Sequence, residues 1–148
     1  MMKELKSPTN RVYLTIDTDH VNRWVAVNWQ GYLTKESIQA GASAYTQALA
    51  ESGYACVLND TRQVRGPWDH SLDWVINVWA PRAAASGLQY FAMITTPDSF
   101  AEESASSFYA QLTAFQAKVF DNLEEAQSWL RQHAQGASRT TNPFPAQS

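Results

Sequence analysis

From Tyr54 to Pro67 the chain reads YACVLNDTRQVRGP, and its chemistry lies in the second half, where Asp60, Thr61, Arg62 and Arg65 crowd together behind an apolar run. An α/β protein gathers its ligand-binding groups beyond the carboxyl end of a strand, and this is such a place. Two guanidiniums there suit an anionic ligand or an acidic partner surface. Their plainer use is pairing with Asp60 or Asp69. Thr61 is a candidate phosphoacceptor, because a phosphate would set about two negative charges beside a helix N-terminus with Arg62 and Arg65 to pair with them. Asp60 and Thr61 can equally bond loop amides as an Asx-type turn. Trp68 falls on the apolar stripe of the helix that follows, whereas Trp74 points almost the opposite way. An outward Trp74 is either a hot spot for a protein interface or half covered by the chain's own loops.

Other groupings carry less chemistry. Asp17, Asp19 and His20 share a turn, and Asp69, His70 and Asp73 share a helix start, but neither has the ligand spacing of a zinc site or an EF-hand loop. Turns and helix starts attract aspartate for local reasons. Cys56 sits inside the apolar run with no signposted base, and three scattered histidines provide no nucleophile-base pair. There is neither a G-x-S-x-G elbow nor a phosphate-cradling glycine loop. No catalytic residue, metal or cofactor is therefore assigned.

The composition narrows the class. The chain has 148 residues, 45% of them hydrophobic and 17% charged, which is enough apolar material for one domain with a core. A net charge of −3 argues against a nucleic-acid module, since those need a basic face. A single cysteine and a polar amino end with no signal-peptide pattern imply a cytoplasmic protein. No apolar run approaches the roughly 20 residues of a membrane span.

The elements that must hold the polar cluster can be read from periodicity. Val12, Leu14 and Ile16 alternate with polar residues, as do Val25, Val27 and Trp29, and the Asp17–His20 turn between them makes an antiparallel hairpin. Ile38, Ala42, Tyr45, Leu49 and Ser52 then share one helical face, with Thr34 as N-cap and Gly53 at the C-terminus. Tyr54–Leu58 predicts a buried strand and Asp60–Gly66 a loop. Gly66-Pro67 then opens a helix that Pro81 and Gly87 end between Ala80 and Ser86. Gln89–Thr95 predicts a central strand, Ser99-x-x-Glu102 caps a helix, 117–120 is a last strand, and Asn122-x-x-Glu125 caps the last helix. The fold class is α/β: a single mixed sheet of about five strands, an N-terminal antiparallel hairpin followed by repeated parallel strand-helix units, with about four helices. The hairpin's first strand is expected at an edge.

Two stretches carry a resemblance. Val57–Gly66 (VLNDTRQVRG) is similar to a strand followed by Asp-x-Arg-x-Val-x-Gly, and Lys118–Leu130 (KVFDNLEEAQSWL) to a closing strand and helix. Together with the element order they resemble the STAS domain family, named for sulfate transporters and anti-sigma-factor antagonists, and more closely its divergent bacterial relatives. The resemblance implies a small α/β domain at residues 11–134, and composition adds a polar lead at 1–10 and an expected disordered polar tail at 135–148. It further implies a non-enzymatic regulatory module that binds a protein partner through the loop after the third strand, with a homodimer as one candidate assembly. Asp60 and Thr61 would match the family's aspartate and phosphoacceptor, although Arg62 and Gln63 stand where small Ser and Gly residues usually follow. Asp60, Thr61, Arg62, Arg65, Trp68 and Trp74 form the expected binding set. The alternative is a small-molecule or lipid-binding module, with an apolar pocket between the sheet and the Trp-rich helix and an arginine holding an anionic head.

Overall fold

Met2–Lys6, which no apolar alternation marks, forms the edge strand β1 and pairs antiparallel with β2 (Val12–Asp19). β1 therefore takes the edge expected for β2 and brings the sheet to six strands. The structure is a computed structural model that describes residues 2–140. β2 turns back into β3 (Trp24–Gly31), setting Leu14 opposite Trp29 and Ile16 opposite Val27, so both apolar rows share one face as the alternation requires. The turn between them is held by Asp19, whose carboxylate accepts from the Val21 and Asn22 amides.

Helix α1 (Lys35–Ser52) follows, capped by Thr34 Oγ1 on the Ser37 N–H and closed by Gly53 at φ 76°. It returns the chain for a parallel crossover, so β4 (Cys56–Val64) pairs parallel with β3. β5 (Tyr90–Ile94) and β6 (Gln116–Phe120) extend the sheet in the same sense, giving the order β1-β2-β3-β4-β5-β6. One face, with Leu14, Val27, Trp29, Val57 and Phe91, is packed under α1, α2 (Asp69–Ala85) and α3 (Phe100–Gln111). The other, with Trp24, Cys56, Leu58 and Ile94, meets Ala126 and Leu130 of α4 (Leu123–Thr140). Ser99 and Asn122 cap α3 and α4 as their spacing predicts. The tail expected from 135 is helical backbone as far as Thr140, and beyond that it lies outside the described residues.

Helix α2 departs from expectation at its start and its middle. It opens at Asp69 with a 3-10 turn, not at Gly66-Pro67, because Gly66 turns left-handed at φ 77° with the Tyr32 ring packed against it. It then carries a π turn at Val75–Trp79, closed by the Ala80 N–H on the Val75 carbonyl, before ending at Ala85. A proline ring clashes with the preceding helical turn, and the wider turn just ahead of Pro81 makes room for it.

Gly41 shows why α1 tolerates a poor helix former. A β-carbon there would fall 2.5 Å from Trp29 Cη2 and 2.8 Å from Leu14 Cδ2, so the glycine lets α1 sit directly on the sheet. Gly41→Ala should recover about 1 kcal/mol of helix propensity. Overpacking costs about 1–3 kcal/mol and should win, lowering the urea midpoint. A raised midpoint would show that the contact relaxes freely.

Candidate functional site

The polar cluster lies within a strand. β4 runs on through Asn59, Asp60, Thr61, Arg62 and Gln63 to Val64, with Asp60 opposite Asn28 of β3 and Ile94 of β5. The expected loop at Asp60–Gly66 is therefore confined to the residues after Val64. Asparagine and aspartate are poor strand formers, but here their side chains find partners, and the flanking strands satisfy the backbone. Asn59 Oδ1 accepts from the Trp29 indole N–H at 2.9 Å.

Asp60 and Arg62 form a fork on the opposite face from Thr61. Arg62 Nε donates to Asp60 Oδ1 at 3.0 Å, Nη2 to Oδ2 at 2.7 Å, and the Arg62 amide adds a third bond to Oδ1. The hydrogen bond that Arg62 donates to Asp60 raises the Arg62 pKa above its ordinary value despite an opposing push from burial. The pairing use of Arg62 is thus the one realised, and the side chain remains 40% exposed. Thr61 is only 4% exposed, and its hydroxyl donates to the Ile94 carbonyl at 2.8 Å. A kinase cannot reach a hydroxyl so placed without opening the sheet, so the geometry argues against Thr61 as a phosphoacceptor. Arg65 behaves differently. Its amide donates to the Gly31 carbonyl, while its side chain is exposed and makes no ion pair among the described residues.

The two tryptophans separate as well. Trp68 is 6% exposed and packs on Phe108, with its backbone N–H on Ser104 Oγ, so it is not presented to a partner. Its indole N–H is buried with no acceptor among the described residues. Beneath it lies a cavity of about 50 Å³, lined by Trp29, Tyr45, Asn59, Thr61 and Trp79 among others. This is where the alternative reading expects an apolar pocket, but a drug-sized guest needs at least about 300 Å³. Trp74 is half-buried against the core and lines a groove between α1 and α2, instead of standing free.

Two residues at this edge escaped the sequence reading. Tyr32, 77% exposed, lies against Gly66, and Phe100, also exposed, opens α3 beyond the carboxyl end of β5. The signal for Tyr32 was an aromatic residue directly after the strand-ending Gly31, outside any apolar period. Among the described residues no group of His, Cys, Asp and Glu is placed to hold a metal ion.

A family model described as SpoIIAA-like matches residues 24–131. A solved structure of an uncharacterized protein of the DUF3478 family from Shewanella loihica PV-4, described as having a SpoIIAA-like fold, superposes with a TM-score of 0.53. The two sequences are 20% identical, over 79% of this chain and 91% of that one, so the likeness speaks for the fold alone. No curated protein matches the chain.

Replacing Thr61 separates a structural hydroxyl from a switch. Thr61→Val should cost about 1 kcal/mol by removing a buried hydrogen bond. Thr61→Glu should cost more, because it buries a charge. Chemical denaturation checks both. A Thr61→Glu chain as stable as the parent would restore Thr61 as a modification site.

Proposed function

The chain belongs to the SpoIIAA-like family, and on that premise we propose that it is a non-enzymatic STAS-like regulatory module that binds a protein partner at the carboxyl edge of its parallel strands. The observation that carries this reading is the exposed Tyr32 ring on Gly66, beside Arg65, whose guanidinium has no ion-pair partner among the described residues. A flat aromatic contact next to an unspent cation suits an acidic, partly apolar surface, since aromatic and arginine side chains dominate interface energetics. Arg62 is tied to Asp60 and contributes less. Pro67 and Phe100, exposed at the same edge, widen the apolar part.

A binding role is further supported by Cys56, the chain's one thiol. It is fully buried, and burial pushes its pKa up to about 12, so it stays protonated and unreactive near neutral pH. The same reduced, inert cysteine supports action in the cytoplasm. Among the described residues no helix is long and apolar enough to cross a membrane.

A photo-crosslinking amino acid at position 32, with another at exposed Val21 as control, tests the reading in the cells that make the protein. A discrete adduct is expected from position 32 alone, and it should be lost when Arg65→Glu is added without change in thermal stability. An adduct of twice the 16.6 kDa chain would make the partner a second copy. No adduct from position 32, or the same one from position 21, contradicts the proposal.

A further inference from the structure

A second surface lies away from the carboxyl edge, in the groove of about 440 Å³ between α1 and α2. That volume falls within the range of small-molecule sites. Its aromatic side is made by Trp74 and Trp79, and their meeting depends on the π turn. Five residues apart in an α-helix means about 140° apart around the axis. Where hydrogen bonds run from i to i+5, as from Val75 to Ala80, residues five apart come much closer to sharing a face. The turn thus swings Trp74, which regular helical periodicity sends outward, into the same groove as Trp79. Such turns cost helix stability and recur at functional sites.

The polar lining has one sign. Arg82 carries the only formal charge among the lining residues, and Ser43 and Ser86 add hydroxyls. Thr46 accepts the Trp79 indole N–H at 2.8 Å, which leaves its own hydroxyl proton free to donate unless it turns back onto the helix. Small side chains, Ala50 and Ala85 among them, leave the walls open. We propose that this groove binds a planar aromatic carboxylate, its ring against Trp74 and its carboxylate on the Arg82 guanidinium. Arg82 also offsets the carbonyl end of α2, so the anion is held by the guanidinium's short forked bonds and not by long-range charge. This site goes beyond the partner-binding reading and stands or falls independently of it.

The test uses 2-naphthoate and its uncharged analogue 2-naphthamide with the full chain, following the indole N–H resonance of Trp74 assigned through Trp74→Phe. Naphthoate is expected to shift that resonance saturably and to bind about tenfold more tightly than the amide, as loss of a charge-assisted bond implies. Arg82→Gln should bring the acid down to the amide's affinity while leaving the amide unchanged, and Ser43→Leu, which fills the groove, should abolish both. A Trp74 resonance that does not move at the solubility limit of naphthoate overturns the proposal. So does an Arg82→Gln chain that binds the acid as well as the parent.

Discussion

The hydrogen bond from the Trp29 indole to Asn59 Oδ1 fastens the sheet where its sense changes. β3 pairs antiparallel with β2 on one side and parallel with β4 on the other, and the parallel register slips around Trp29. Without this bond a buried amide oxygen and a buried indole N–H would both lack partners there, at about 1–3 kcal/mol each. Thr61 makes the corresponding tie to β5 through the Ile94 carbonyl, and Asp60 is closed off by Arg62 on the opposite face. Asn59 and Thr61 thus tie β4 to its two neighbours, while Asp60 is satisfied within the strand itself. Trp29 also sits under Gly41 and against Tyr45, so the placement of α1 depends on the same ring.

Much of this fold was legible in the order of residues, because a buried face imposes its period on the chain. The hairpin, α1 with its two caps, β5, and the capped starts of α3 and α4 all follow local rules that one sequence displays. What could not be read was whatever depends on partners distant in sequence. Asn59, Asp60 and Thr61 look like turn residues until Trp29, Arg62 and the Ile94 carbonyl are placed around them. β1 is mostly charged and joins the sheet by backbone pairing, which leaves no apolar signature. Trp74 was assigned its direction from regular helical geometry, and a π turn changes that direction without any marker beyond the nearby Pro81.

The candidate site shifts accordingly. Of the residues named from sequence, Asp60 and Thr61 serve the sheet, Arg62 is largely spent on Asp60, and Trp68 is inside the core. Arg65 is exposed with no ion pair among the described residues, and Tyr32, which no apolar period marks, lies beside it. The family match covers residues 24–131 and with them the strands behind this rim, where the proposed contact surface lies. An internally satisfied β4 fixes the start of the adjoining turn, and such preorganisation would lower the entropy lost at the proposed interface.

The central claim is that the polar run of β4 is a fastening for the sheet. A double-mutant cycle between Trp29→Phe and Asn59→Ala, measured by equilibrium urea denaturation, tests it directly because it isolates the bond from the packing of either side chain. A coupling of about 1 kcal/mol or more between the two positions is expected for a buried hydrogen bond of this kind. Additive single effects, with no coupling, would mean that the sheet's junction is held by packing alone and that the polar run is free for another use.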